Sequence, residues 1–183
     1  MSIVDFGGAC GAHYFETRRF FSSEIIFKWC VVETKEMVKS AKQHNIENKE
    51  LFFIDSLSEI NFPVDFIHSS GALQSVSNYS QYLSELMRLN AKYMLFNRMM
   101  FNENDCDIVT IQESRMSANG PGLMPEKYTD KSIFYPHTTI ALKKFSEILH
   151  DKYKDEWVFE ELSGVLKINN EKIIGRGLLY IHK

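Results

Sequence analysis

Short apolar runs alternating with amphipathic stretches constrain this chain more than any other feature. Ile3-Val4-Asp5-Phe6, Ile25 to Val32, Leu51 to Ile54, Val64 to His68 and Ala91 to Phe96 have the length and the β-branched or aromatic content of strands. Between them, Ala12 to Phe21, Thr34 to His44 and Tyr79 to Leu89 carry apolar side chains at helical spacing, with Tyr82, Leu83, Leu86 and Leu89 on one face. Thr34 has the hydroxyl and the position of an N-cap. Short strands joined by helices make a parallel sheet covered on both faces. The last third changes character. Asp107 to Glu113 reads as an extra strand, Ser117 to Asp130 as a long loop and Thr139 to Tyr153 as an amphipathic helix. Glu156 to Glu160 and Lys172 to Ile181 then read as strands, with Asn169-Asn170 available for a turn. The expectation is an α/β chain: a Rossmann-like three-layer sandwich around a mostly parallel seven-stranded sheet that closes in a C-terminal antiparallel β-hairpin. Residues 1–183 read as one domain, with a lid or substrate loop at 102–136.

Charge and cysteines narrow the function classes. Lys plus Arg number 21 and Asp plus Glu 24, a net charge of -3, which argues against a generic nucleic-acid binder. Cys10, Cys30 and Cys106 form neither a disulfide framework nor a paired zinc motif, which suits a reducing cytoplasm. No apolar run has bilayer length, and the first residues lack the pattern of a signal peptide.

The first turn carries the chemistry. In Val4-Asp5-Phe6-Gly7-Gly8-Ala9-Cys10-Gly11, glycines between a strand and a helix let backbone N–H groups approach an anion. The spacing fits neither G-x-G-x-x-G nor a P-loop, since Ala9 and Ala12 stand where glycines belong and no Lys follows Gly11. Glu33 ends the second strand, where a carboxylate can accept hydrogen bonds from both hydroxyls of a ribose. Its alternative is a solvated acid at a helix start. Asp55 and Ser56 follow the third strand, where a cap or turn is the alternative.

Asp5-x-Gly7-x-x-x-Gly11 resembles the glycine turn of class I S-adenosylmethionine-dependent methyltransferases, with Ala9 in place of the middle glycine. Along nearly its whole length the chain is similar to a bacterial family of these enzymes associated with surface-polysaccharide (capsule and O-antigen) loci. The likeness rests on Asp5 to Gly8 with Gly11 and Tyr14-Phe15, on Trp29 to Glu33, Leu51 to Phe53, His68 to Ser70 with Leu73-Gln74, Arg98, Tyr135-Pro136 and Gly175-x-Gly177. The resemblance implies S-adenosyl-L-methionine as cofactor, S-adenosyl-L-homocysteine as product, and methyl transfer to a small phosphate- or sugar-containing acceptor. It also implies cofactor contacts from Asp5, Gly7, Gly8, Gly11, Tyr14, Glu33, Asp55, Ser56 and Ser69. Class I enzymes carry a helical segment before the first strand that this chain lacks, so a homodimer or protein partner covering an open site is expected.

Acceptor residues are sought at the carboxyl ends of strands four and five, where ligands lie in open α/β sheets. His68 is a candidate base, with a backbone hydrogen bond as its alternative. Arg98 is a candidate anion clamp, with a surface ion pair to a residue such as Glu103 as its alternative. His137 is the second candidate base. His13, Ser70, Gln74, Gln112 and Tyr135 complete the acceptor set, and Met99-Met100-Phe101 would line its entrance. Cys10-x-x-His13 with remote Cys30 does not define a zinc site, so no metal is assigned. A catalytically silent cofactor-binding subunit and a nucleotide-binding oxidoreductase are the competing readings.

Overall fold

The computed structural model describes residues 1–118, 125–129, 131–161, 166–168 and 170–183. Strand β1 (Ser2–Phe6) leads through α1 (Ala12–Arg18) to β2 (Lys28–Val32), α2 (Lys35–Gln43) and β3 (Leu51–Ile54). Next come β4 (Phe66–Ser70), α3 (Tyr79–Arg88) and the long β5 (Tyr93–Asn102). The remainder is β6 (Ile108–Arg115), the short α4 (Glu126–Thr129), β7 (Ser132–Ala141), α5 (Leu142–Leu149), β8 (Tyr153–Glu160), β9 (Leu166–Ile168) and β10 (Glu171–His182). One sheet runs in the order β3-β2-β1-β4-β5-β10-β8. Its first five strands are parallel, and β10 inserts antiparallel between β5 and β8.

The alternation along each strand builds a core on both faces. Val4, Phe6, Ile67, Met94 and Phe96 pack against Leu83, Leu86 and Met87 of α3 and Phe145 and Leu149 of α5. Ile3, Trp29, Val31, Leu51 and Phe53 pack against Tyr14 of α1 and Val38 and Ala41 of α2. Each fully buried side chain of this size contributes about 1.5–3 kcal/mol. The helices start where their caps put them: Thr34 Oγ1 accepts from Met37 N–H at 3.3 Å, and Asn78 Oδ1 from Gln81 N–H at 3.2 Å.

Beyond the expected seven strands and the extra strand expected at Asp107 to Glu113, which is β6, the structure adds β7 and β9. β6 and β7 form an antiparallel arm, anchored where Phe101 and Asn102 of β5 pair with Ile140 and Ala141 of β7. β9 adds to β10. Much of the stretch 102–136, expected as a lid loop, is therefore strand; Asn119-Gly120-Pro121-Gly122 and Asp130 lie outside the described residues. Pro136 lies where β7 has a neighbour on one side only, the edge position at which a strand tolerates proline. Thr139, expected to open a helix, belongs to β7, and α5 begins at Leu142. Ile25 and Ile26 precede β2 and are exposed. Of the expected Asn169-Asn170 turn, only Asn170 is described, with φ 66.

The sheet is unevenly covered. Parallel and antiparallel register places Phe66, Tyr93, Leu95, Leu179 and Trp157 on one face. The first four are half-buried and Trp157 is 62% exposed. The opposite face of the same strands, with Ile67, Met94, Phe96 and Leu178, is buried.

Candidate active site at the carboxyl edge of the sheet

Gly7 leaves β1 at φ 74 and donates its N–H to Val32 O at 2.9 Å, and Gly11 N–H closes the turn onto Gly8 O at 2.9 Å. Gly11 then caps α1. Glu33, at the end of β2, fastens this turn: Oε1 accepts from Ala9 N–H at 3.0 Å and Oε2 from Thr34 N–H at 2.9 Å. A cavity of about 670 Å³ opens beside it along the carboxyl ends of the strands, as expected for an open α/β sheet. Gly7, Glu33 and Asp55 border it at one end, and Ser70, Gln74 and Arg98 in the middle. Gln112, Tyr135 and His137 reach it from the arm.

A bulge aims the middle of the cavity. Asn97 and Arg98 of β5 together oppose Gly177 of β10, and Arg98 takes φ 55. The extra residue shifts the alternation: Met94 and Phe96 are buried before it, Met99 and Phe101 after it, and Met100 turns into the cavity. Gln74 holds the bulge from both sides, donating Nε2–H to Arg98 O at 3.1 Å and accepting Met100 N–H at Oε1. Glu161 accepts the Arg98 N–H. Opposite the bulge the Phe159 ring packs directly on Gly177, where a Cβ would lie 2.0 Å from it. The Arg98 guanidinium has no ion-pair partner among the described residues, and Glu103 is paired instead with Lys172 at 2.8 Å.

Beneath the turn lies a cluster that the sequence order conceals. Asp5 is fully buried, and the β1–β4 register sets it beside His68. His68 Nδ1 is 2.9 Å from Asp5 Oδ1, and His13 Nδ1, from α1, is 3.0 Å from Oδ2. His68 Nε2 lies 2.9 Å from Asn97 Oδ1. Burial by itself raises the Asp5 carboxyl, yet the hydrogen bonds and charges of His13 and His68 hold it below the usual range. The Asp5 bond pushes His13 up against burial and the opposing charge of Arg98.

The arm contributes by register. Gln112 opposes Tyr135 and Thr110 opposes His137, so one face of the hairpin looks inward. His137 Nδ1 and Ser70 Oγ are buried without a hydrogen-bond partner among the described residues. Burial pushes His137 below its ordinary pKa, so the ring is held neutral.

Several expected roles are corrected. Tyr14 packs edge-on against Trp29 and donates to Glu50 at 2.9 Å, in the α1–α2 core and away from the cavity. Ser56 is used as a cap, accepting from Ser58 N–H at 3.3 Å. Ser69 is wholly buried on the other face of β4 and does not border the cavity. Gln74 borders it, but each end of its amide binds the β5 backbone, so its first task is to hold the bulge rather than an acceptor. His68 has both ring nitrogens engaged and is no free base. Cys10 is exposed, and Cys30 is buried in the core with its thiol pushed up to about 12. Asp5, Gly8, Gly11 and His13 are not among the residues that border the cavity. Sequence reasoning missed Asn97 and Tyr82; the strand alternation that puts Asn97 on the His68 face would have found the first once the β4–β5 pairing was known.

No protein-family model matches the chain, and no curated protein matches it. Solved structures do. An S-adenosylmethionine-dependent methyltransferase from Methanosarcina mazei is 13% identical, with TM-score 0.58 over 99% of this chain and 92% of that one. The N-terminal domain of EvdMO1 with S-adenosylhomocysteine bound is 12% identical, with TM-score 0.60 over 100% and 75%. LepI in complex with S-adenosylmethionine is 9% identical, with TM-score 0.58 over 99% of this chain and 42% of that one. The chain therefore has the Rossmann-like fold of S-adenosylmethionine-dependent methyltransferases. Among the described residues, no helix is long and apolar enough to cross a membrane.

Proposed function

We propose that the chain is an S-adenosylmethionine-dependent methyltransferase acting on a small phosphate- or sugar-containing acceptor. The observation that carries this reading is the continuous cavity running from the Gly7 turn and Glu33 to the unpaired Arg98 and the arm. The residues present fit the donor: Gly7 would let the backbone pass close, the remaining lone pairs of the Glu33 carboxylate would accept from a ribose diol, and Asp55, which borders the same cavity, would help to hold the base. When bound, the sulfonium supplies an electrophilic methyl group.

The protein's share is alignment and proton handling. Holding a nucleophile in line and away from water supplies several kcal/mol of the barrier. Arg98 clamps an anionic acceptor through its planar fork, while Gln112 and Tyr135 close over it. An ionised acceptor oxygen needs no base. A neutral hydroxyl or amine passes its proton to His137, whose ring borders the cavity and is kept neutral by burial.

The setting in surface-polysaccharide biosynthesis rests on the sequence resemblance. A sugar acceptor is supported further by EvdMO1, whose N-terminal domain was also crystallised in the presence of S-adenosylhomocysteine and D-fucose. A second copy or a protein partner covering the half-exposed face of Phe66, Tyr93, Leu95 and Trp157 belongs to the same reading, and sedimentation tests it. A monodisperse monomer that binds the donor fully removes the partner from the account.

Calorimetry with S-adenosylhomocysteine decides the donor. The native chain binds, and Glu33→Ala weakens binding about tenfold to a hundredfold, the worth of hydrogen bonds to a charged acceptor. No heat with either form of the nucleoside ends the proposal. Another structural neighbour is described as a pericyclic reaction enzyme, so methyl transfer to an acceptor is the second measurement required.

A further inference from the structure

We propose that Asp5, His13 and His68 form a site for a divalent transition-metal ion of the zinc type, beneath the glycine turn. The inference goes beyond the methyl-transfer reading and stands without it. One ligand atom from each residue lies within 4.8 Å of the other two. Two imidazole nitrogens and one carboxylate are a donor set that zinc and its neighbours in the first transition row accept, with an open position left over.

Hydrogen-bond bookkeeping at His68 supports an ion. Its Nε2 faces Asn97 Oδ1 at 2.9 Å and its Nδ1 faces Asp5 Oδ1 at 2.9 Å, so both neighbours are acceptors. A neutral imidazole has one N–H only. With one N–H donated to Asn97, Nδ1 needs a positive partner toward the Asp5 carboxylate, which a proton supplies as a hydrogen bond and a metal ion supplies as a ligand bond. A metal ion on Nδ1 takes the place of that proton. It also makes Asn97 the outer partner that orients a ligating histidine through its second nitrogen.

His13 repeats the arrangement on the other carboxylate oxygen, and the two rings meet edge to face with centroids 4.5 Å apart. Among the described residues, the fully buried Asp5 carboxylate has these two imidazoles as its only side-chain partners. A buried anion so placed is stabilised by a cation at the same point. His13 is half-buried, so the open position faces solvent on the His13 side.

The test uses the full chain, freed of metal by a chelator, with no methyl donor present. Co²⁺ is titrated in and followed by its visible ligand-field absorption, and Zn²⁺ is titrated by calorimetry. One equivalent of each binds the native chain. Binding weakens at least tenfold in His13→Gln and in His68→Gln. His150→Gln, which breaks an exposed His–Asp pair at 3.2 Å elsewhere, binds as the native chain does. If His68→Gln unfolds, the half-exposed His13→Gln decides alone. Absence of binding, or equal binding by all variants, overturns the proposal. Donor binding in the metal-free chain is measured separately, so failure here leaves the methyl-transfer reading standing, and the reverse.

Discussion

A Cβ placed on residue 7 would lie 2.1 Å from the Cβ of Ala72, so the turn after β1 and the turn after β4 touch through Gly7. Two separate penalties meet any side chain there. The φ of 74 costs an L-residue about 1–2 kcal/mol, and the overlap costs about 1–3 kcal/mol more. Gly7→Ala is therefore expected to lose several kcal/mol in denaturant unfolding and to lose donor binding. Ala72→Gly in the same chain removes the overlap and leaves the backbone cost. The double variant should recover part of the stability, and purely additive losses would show that the two turns do not touch.

Arg98 combines a strained backbone with an unpaired guanidinium, which separates stability from function. Its φ of 55 favours glycine, so Arg98→Gly relieves about 1 kcal/mol of strain at the bulge, less the entropy that glycine loses on folding. The variant is expected to be no less stable than the native chain in chemical denaturation. Its KM for an anionic acceptor should rise at least tenfold while donor affinity is kept. A parallel fall in donor affinity would place Arg98 on the donor instead.

Gln74 predicts a graded series. Its amide satisfies Arg98 O and Met100 N–H, and each buried group left unpaired costs about 1–3 kcal/mol. Gln74→Ala strands both groups and should destabilise most. Gln74→Glu keeps an acceptor for Met100 N–H and should fall between Ala and the native chain. Equal stabilities for all three in thermal unfolding would remove Gln74 from its role in holding the bulge.

The turn, the strand-end acid and the succession of strands and helices from β1 to β5 were legible because each is local: a short apolar run, a glycine pair, an acid in the next position. Arg98 was read from its position directly after the fifth apolar run; Gln112, Tyr135 and His137, which also border the cavity, were named without any spacing that placed them there. What was hidden depends on register across the sheet. Asp5 and His68 sit opposite each other only because β1 pairs with β4 in one register, and no spacing along the chain carries that information. Tyr14 looked like part of the turn, but helical geometry rotates it away from the cavity toward Trp29 and Glu50. β7 was masked by Pro136, which a strand tolerates at an edge position that only its pairing reveals.

His137 gives the pH dependence. Its burial lowers the folded-state pKa below the ordinary 6.5, so the native ring resists a proton that the unfolded chain accepts. Above pH 6.5 the ring is neutral in both states, and its contribution to stability is fully present. As pH falls below 6.5 the unfolded chain takes up the proton first, and stability drops by at most about 1.4 kcal/mol per pH unit until the folded ring titrates too. Below that point the loss is constant. His137→Gln keeps the volume near that of the ring and removes this titration. Unfolding midpoints of the native chain and His137→Gln, measured from pH 8 down to pH 5, should therefore run parallel above about pH 6.5 and diverge below it, the native curve falling more steeply. Curves that stay parallel throughout would mean that the ring reaches water and is not held neutral at the cavity wall.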